Sequence, residues 1–226
     1  MNARVDHLAV VADTLEQGAR WCEQTFGVAA QAGGKHGLMG THNRLLAVSS
    51  ERFPATYIEI IAIDADAPPP ARPRWFGMDD AALRAAVREQ PRLVHAIART
   101  QMIEMLRWGL INCGLDPGVP IAMHRDSPAG RLSWRITVRD DGRTECGGAL
   151  PTLIQRDDSQ HPCDRLPPCG VVLRELVLRG VPAQAADVLR LSGVQLAARP
   201  SAPPRDAAVS ATFDTPRGAV AIDSWP

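Results

Sequence analysis

The stretch VDHLAVVA at residues 5 to 12 opens a pattern that occurs three times along the chain. This apolar run is followed by an amphipathic helix that closes at Phe26-Gly27-Val28, where glycine supplies the left-handed conformation that ends many helices. Two more apolar runs follow, NRLLAVS at 43 to 49 and YIEIIAID at 57 to 64. The order predicts a unit of one strand, one helix and two or three further strands.

The second unit begins with LVHAIART at residues 93 to 100, and the third with LRELVLRG at 173 to 180. When the three first strands are aligned, His7, His95 and Glu175 fall at the same position, and the glycine that closes each helix follows 20, 19 and 18 residues later. Such regular spacing indicates repeated structural units. Potential metal ligands at one repeated position suggest a site.

Proline-rich stretches at residues 67 to 74 and 161 to 168 separate the units, because proline interrupts central strands and helices. We therefore expect an α+β fold with a domain of two paired units at residues 1–165 and a third, appended half-unit at 166–226. An odd unit leaves a sheet face to be covered. It can pack on a helix of its own chain or against the same unit of a second chain, and we favour the second arrangement, a homodimer.

The composition is that of a compact globular protein with a small-molecule ligand. Hydrophobic residues make up 45% of the 226 residues, which is enough for a core. Lys and Arg balance Asp and Glu at 25 each, so the net charge attracts neither nucleic acid nor an anionic membrane. The five cysteines include no C-x-x-C pair, and no secretory signal is recognised at the N-terminus. We expect a cytoplasmic protein without nucleic-acid or membrane partners.

Several stretches resemble the glyoxalase-like domain family of the vicinal oxygen chelate superfamily, over about residues 5 to 165. They are His7 in the first strand, GGKHGLMGTHN at 33 to 43, YIE at 57 to 59, and LPTLIQ at 150 to 155 followed by His161-Pro162. The resemblance implies repeated βαβββ modules that form a curved mixed sheet, shaped as a cup, with helices on the outside.

The resemblance also implies a metal site in the cup, at the first and last strands of the paired units. Those positions here are His7, Glu59, His95 and Thr152. The first three can bind a divalent metal (Zn, Fe, Mn, Ni or Co) that would support lyase, isomerase or dioxygenase chemistry. Alternation along the strand also places Glu59 inward together with Tyr57. A buried carboxylate there needs a charge partner or a metal.

Other polar residues are candidates for holding a small oxygenated ligand. His36, His42 and Asn43 lie in the glycine-rich stretch, which is either a simple turn between strands or a lip over the cup. Glu59 and His42 are the candidate catalytic residues, as carboxylates and histidines move protons. The remaining ligand-binding candidates are Trp134, Arg135 and Gln155.

A second interpretation is a metal-free binding or sequestration protein of the same fold. Glu59 would then pair with Arg135 or with a cation of the ligand, and His95 would be a core residue. A lone histidine on an apolar strand is commonly a hydrogen-bonded core residue.

Overall fold

A computed structural model describes residues 3–127, 130–157, 160–199 and 207–224. Within these ranges the chain forms twelve strands and four helices. Strands β1 to β8 are Arg4–Val11, Gln31–His36, Thr41–Ala47, Tyr57–Ile63, Arg92–Arg99, Val119–Ser127, Gly130–Val138 and Thr152–Arg156. Strands β9 to β12 are Val172–Arg179, Gln195–Ala197, Val209–Thr215 and Gly218–Asp223. Helices α1 to α4 are Leu15–Phe26, Ala81–Glu89, Ile103–Asn112 and Ala183–Leu189.

The ends of α1 follow directly from the sequence. The Thr14 side chain accepts a hydrogen bond from the backbone N–H of Gln17, which satisfies a free donor of the first turn. Gly27 ends the helix in the left-handed conformation, with φ of 77°. Between units one and two, Asp80 caps α2 in the same way through the N–H groups of Ala82 and Leu83.

Units one and two share one eight-stranded mixed sheet. Its strand order is β2-β3-β4-β1-β5-β8-β7-β6, so the first strands of both units lie side by side at the centre. Strand β1 is parallel to β4 and antiparallel to β5, and β5 is parallel to β8. The sheet curls into a half-barrel cup. This confirms the predicted α+β class and the glyoxalase-like architecture.

The two faces of the cup carry different side chains. On β4, Ile61 belongs to the apolar cluster of the concave side, while Ile58 and Ile60 belong to the cluster beneath the helices. Tyr57 and Glu59 share the concave face with Ile61 and line its cavity. Glu59 therefore points inward, as the alternation of the strand predicts.

The third unit repeats the order βαβββ but not the strand pairing. Strand β9 pairs with β10 and β11 rather than with the last strand, in a separate sheet of order β10-β9-β11-β12. Glu175 consequently lies opposite Thr212 and away from the cup strands. The neighbouring Arg174 forms an ion pair with Asp214, 2.6 Å away.

This second sheet packs against the convex side of its own chain. Phe213 contacts Phe26 of α1 edge to face, with 5.2 Å between ring centres, and both are fully buried. Helix α4 packs on α3, where a Cβ at Gly109 would come within 2.7 Å of Val188. Of the two expected arrangements, packing on the own chain is the one observed. The homodimer stays a prediction, but it loses the uncovered face on which it was based.

No helix in the described part of the chain combines the length and the apolar character needed to cross a membrane.

Candidate functional site

The concave face of the larger sheet encloses a small cavity. Its free volume is about 30 Å³, which is room for about one water molecule. Six of the lining side chains are polar, namely His7, His36, Asn43, Tyr57, Glu59 and Arg156. The other eight are apolar or aromatic, namely Leu45, Trp75, Phe76, Leu132, Trp134, Ile136, Ile154 and Pro162. Apolar walls with a few convergent polar groups are typical of a small-molecule site.

His7 lies between two carboxylates. Its Nδ1 atom is 2.7 Å from Oδ1 of Asp6, and its Nε2 atom is 3.4 Å from Oε2 of Glu59. The imidazole donates the bond to Asp6, because an ionised carboxylate only accepts. The imidazole ring also stacks on Tyr57, with 4.7 Å between ring centres. These contacts fix the ring with Nε2 directed at Glu59.

The charges of His7 and Glu59 stabilise each other. Burial lowers the pKa of His7, but its hydrogen bonds with Asp6 and Glu59 outweigh burial and raise the pKa above 6.5. Burial raises the pKa of Glu59, but the hydrogen bond and the charge of His7 outweigh it and bring the pKa to about 2. Glu59 is therefore ionised at neutral pH, and His7 favours its protonated form.

Two residues of the glycine-rich stretch contact Glu59. The Asn43 side-chain amide donates a hydrogen bond to Oε1 of Glu59, and its own oxygen accepts from the N–H of Gly34 at 2.8 Å. The His36 Nε2 atom lies 3.9 Å from Oε1 of Glu59. Only glycine fits at position 33, because a Cβ atom there would lie 1.9 Å from the Asn43 side-chain oxygen. The stretch is thus both a strand pair, β2 and β3, and a wall of the cup.

Asp6 joins the first strand to the end of the second unit. It is fully buried and accepts a 2.7 Å hydrogen bond from Nη2 of Arg156 in addition to the bond from His7. Nε2 of His161 lies 3.1 Å from its second oxygen. Burial raises the pKa of Asp6, but the charge of Arg156 and the two histidine hydrogen bonds outweigh it, so the pKa lies well below its ordinary value. The carboxylate therefore stays ionised and ties three elements of the cup together.

The segment Trp75–Gly77 enters the cup directly after the proline-rich stretch. Trp75 and Phe76 are buried and stack on each other, with 5.4 Å between ring centres. Phe76 has φ of 58°, a left-handed conformation that bulky residues rarely adopt. The Trp75 ring meets His36 edge to face at 5.0 Å. An apparent linker thus supplies the aromatic wall beside the polar groups.

His95 faces the same side of the sheet but lines a second cavity, together with Thr152. Its Nδ1 lies 2.8 Å from the carbonyl oxygen of Gly148, and its Nε2 accepts a hydrogen bond from the backbone N–H of Thr152 at 3.0 Å. Burial lowers the pKa of His95 to about 4, against the opposing effect of the hydrogen bond to Gly148. His95 is therefore neutral, with both ring nitrogens in use. Trp75 and Phe76 line both cavities.

The three predicted metal ligands fit a metal only in part. Nε2 of His7 and the carboxylate of Glu59 face each other, and Asp6 holds the other His7 nitrogen, as carboxylates commonly do for metal-binding histidines. The lone pair of His95 Nε2 is instead taken by Thr152. Among the residues that the structure describes, no three or more His, Cys, Asp or Glu side chains are arranged to hold an ion.

The predicted ligand-binding residues on β7 and β8 point to different faces of the sheet, because neighbours along a strand alternate. Trp134 lines the cavity, whereas Arg135 points to the other face, where its Nη1 lies 3.7 Å from Glu104 of α3. The pairing of Glu59 with Arg135, considered for the metal-free interpretation, is not what the structure has. Gln155 also points outward, and its oxygen accepts a hydrogen bond from the N–H of Ile103 at the start of α3.

His42 lies on the face of β3 opposite the cavity. Its neighbours Thr41 and Asn43 are buried, whereas His42 is half-exposed, and only Asn43 lines the cup. The nearby Asp64 forms an ion pair with Lys35 at 2.7 Å. The catalytic role predicted for His42 therefore has no support from its position.

Sequence reasoning missed several residues of the site. Arg156 could have been found, because it shares the parity of Thr152, a position that was placed inward. Asp6 could not, because the pairing of β1 with β5 has a register shift between Val5 and His7 that periodicity does not show. Trp75 had no periodic pattern around it.

A profile of the glyoxalase-like domain family matches residues 5–192. A search among curated proteins finds no match. Among solved structures, a hypothetical protein from Staphylococcus aureus is similar at 15% identity, over 98% of this chain and 86% of that chain, with a TM-score of 0.55. At this identity the likeness concerns the fold alone.

Two epimerase structures are more distant. Methylmalonyl-CoA epimerase in complex with methylmalonyl-CoA and NH4+ is 12% identical over 72% of this chain and all of its own, with a TM-score of 0.43. Methylmalonyl-CoA epimerase from Mycobacterium tuberculosis is 12% identical over 69% of this chain and 88% of its own, with a TM-score of 0.39.

Proposed function

We propose, since the chain belongs to the glyoxalase-like domain family, that its cup binds a small oxygenated metabolite and that Glu59 and His7 transfer a proton on it. The reaction class is proton transfer at a carbon next to a carbonyl, as in an isomerase or a lyase. The observation that carries the proposal is a buried, ionised carboxylate beside a histidine that favours protonation, both on the wall of one cavity. Paired groups with pKa values pushed apart are typical of acid–base sites.

The negatively charged Glu59 and the positively charged His7 have different roles in the proposed reaction. Glu59 takes the proton from carbon, the electron pair of the C–H bond forms the C=C bond of an enolate, the π pair of the carbonyl moves to its oxygen, and the N–H of His7 stabilises this oxyanion. Nε2 of His7 and Oε2 of Glu59 are 3.4 Å apart, so the hydrogen bond between them is long and weak. A ligand oxygen that accepts the N–H of His7 weakens this ion pair further, so the pKa of Glu59 rises and the carboxylate becomes a stronger base.

Hydrogen exchange tests this function. Wild-type protein is incubated in D2O with a panel of small ketones, aldehydes and thioesters, and the loss of the proton next to each carbonyl is followed by NMR. Glu59→Gln should lower the enzymatic exchange rate by about 10²- to 10⁴-fold. Glu104→Gln is the matched control, since that carboxylate lies outside the cup beside Arg135. Equal rates for wild type and Glu59→Gln on every compound that exchanges would overturn the proposal.

The metal-free binding protein is the alternative within the same experiment. Compounds that bind in the cup without any exchange above the uncatalysed rate would favour it. In that case His7 and Glu59 only orient the ligand, and the depressed pKa of Glu59 serves structure and binding.

A metal-dependent reaction is a second candidate, favoured by the Asp6–His7–Glu59 arrangement. A metal would be held by His7, Glu59 and His95 as the family resemblance implies, which requires His95 to release Thr152; it would supply polarisation of substrate oxygens. Metal analysis of protein purified without chelator tests it. About one ion per chain in wild type, lost in Glu59→Gln and in His95→Gln, supports this candidate, and metal contents that do not differ among the three proteins contradict it.

The cellular setting is also a proposal. All five cysteines are free, which fits a reducing compartment, and we propose the cytoplasm. A small-molecule ligand is the partner that the cup fits.

A further inference from the structure

We infer that the ligand of the cup is an uncharged carbonyl compound whose oxygen accepts a hydrogen bond from the indole N–H of Trp75. The inference names the substrate class for the proposed function and rests on the same cavity. Trp75 is only 4% exposed and lines that cavity. Its Nε1 has no hydrogen-bond partner in the described part of the chain.

A buried N–H without an acceptor is unfavourable and rare, so it calls for an explanation. Six arginine Nε atoms of the described residues are also without a partner, but each guanidinium group has two further nitrogens that can donate. The indole has a single N–H and can only donate. An acceptor atom from outside the described residues, such as the oxygen of a ligand, would satisfy the N–H of Trp75.

The charges around the cavity favour an uncharged acceptor. Asp6 and Glu59 carry negative charge, and they are matched by Arg156 and by the protonated form of His7, each within 3.4 Å of a partner. A carboxylate on the ligand would add an unmatched negative charge next to Glu59. A ketone, aldehyde, ester or thioester oxygen accepts from Trp75 without that cost.

The apolar part of the lining determines what the body of the ligand can be. Leu132, Trp134 and Ile136 are buried there on β7, the strand next to the edge of the sheet. The free volume of about 30 Å³ accommodates one oxygen atom. The rest of the ligand needs more space than this, and the surface that meets β7 must be apolar.

Three compounds of one shape separate the contributions: acetophenone, benzoate and ethylbenzene. Dissociation constants are measured by ligand-detected NMR for wild type, Trp75→Phe and Trp108→Phe, the last a control at a tryptophan that is 56% exposed. We expect acetophenone to bind tightest to wild type and to bind about three- to tenfold more weakly to Trp75→Phe, the loss of one hydrogen bond. Ethylbenzene should change little, and Trp108→Phe should match wild type.

Other results overturn the inference. They are equal losses for acetophenone and ethylbenzene, tighter binding of benzoate, or no binding of acetophenone at millimolar concentration. If Trp75→Phe does not fold, the ¹⁵N-indole resonance of Trp75 in wild type gives the answer. It should shift with acetophenone and not with ethylbenzene, and equal shifts would contradict the hydrogen bond.

The inference and the proposed function fail separately. If acetophenone binding depends on Trp75 but Glu59→Gln leaves hydrogen exchange unchanged, the ligand class is supported and the proposed proton transfer is contradicted. If hydrogen exchange requires Glu59 but does not change in Trp75→Phe, the proton transfer is supported and the role of Trp75 as hydrogen-bond donor is contradicted.

Discussion

The carboxylate of Asp6 and the imidazole of His7 are neighbours in sequence and also hydrogen-bonded through their side chains, at 2.7 Å. Successive residues of a regular strand point to opposite faces. Here the register shift between Val5 and His7 alters the strand, so that both side chains meet at the cup. Asp6 thereby fixes the orientation of His7 and, through its charge, favours the protonated imidazole.

Asp6→Asn should lower the pKa of His7. The substitution removes a negative charge and a strong acceptor from Nδ1, so less remains to oppose the burial that lowers this pKa. The pKa of His7 can be read from an NMR titration of the imidazole protons in both proteins. Asp66→Asn, at a loop position away from the cup, is the control and should leave it unchanged. A His7 pKa that does not fall in Asp6→Asn would show that Glu59 alone sets the charge of the ring.

Glu59→Gln should flatten the loss of stability in acid. The pKa of Glu59 in the folded protein, about 2, lies below its ordinary 4.5, so its ionised form stabilises the fold above pH 4.5 and that contribution is lost as the pH falls toward 2. Its size is on the order of 3 kcal/mol. Urea unfolding at several pH values should give a steeper fall of the free energy of unfolding for wild type. Parallel curves would mean that Glu59 titrates alike in folded and unfolded chains.

Much of the fold could be predicted from the sequence, because it depends on short-range patterns. The cap at Thr14, the left-handed Gly27 and the alternation around Glu59 each have a local physical cause, and the structure has all three. The repeat of these patterns then indicated the paired units. The third unit was recognised by its element order, but its different strand pairing depends on long-range packing.

The site was harder to predict, because hydrogen bonds of distant residues decide it. His7 and His95 occupy equivalent positions in sequence, yet one contacts two carboxylates and the other a carbonyl and an N–H. Strict use of side-chain alternation along the strands would have predicted that His42 and Gln155 point outward and that Arg156 points into the cup. Trp75 reaches the cup because of the path of a loop, and loops have no periodic sequence pattern from which this position could be predicted.

His95 should contribute stability at neutral pH that is lost on mild acidification. Its pKa in the folded protein, about 4, is below the ordinary 6.5, so the unfolded chain takes up the proton first as the pH falls from 6.5 to 4. His95→Gln should remove this part of the slope of unfolding free energy against pH. His7 acts in the opposite direction above pH 6.5, and it is present in both proteins. An unchanged slope between pH 6.5 and 4 would contradict a neutral, buried His95.

His36→Ala and His42→Ala should have different effects on ligand binding. His36 is 3% exposed and lines the cup beside Glu59, so its removal alters the site and should weaken binding of a carbonyl compound about tenfold, the loss of one good polar contact. His42 lies on the other face and should leave binding unchanged. The two variants are matched controls for each other. Loss of binding in His42→Ala with intact thermal stability would restore the predicted role of His42 at the cup.

Phe213→Ala should destabilise the whole chain rather than the third unit alone. Phe213 is fully buried and contacts Phe26 of α1, so the substitution leaves a cavity in a core that both sheets share. Loss of a buried phenylalanine costs about 3–5 kcal/mol. Chemical unfolding should remain a single transition at lower denaturant concentration. Leu196→Ala, at a residue of the same unit that is 43% exposed, is the control and should change stability by less than about 0.5 kcal/mol.

Light scattering on the same proteins tests whether the third unit serves its own chain or a homodimer. If the unit covers the convex face of its own sheet, the full chain should be monomeric, and a chain that ends at Pro162 should expose the apolar residues around Phe26 and aggregate. If the unit instead forms a two-fold interface, the full chain should be a dimer that dissociates in Phe213→Ala or on truncation. Chemical unfolding of the same proteins tests the shared core directly. Two separate transitions, only one of them shifted by Phe213→Ala, would contradict it, because a core common to both sheets must unfold in a single transition.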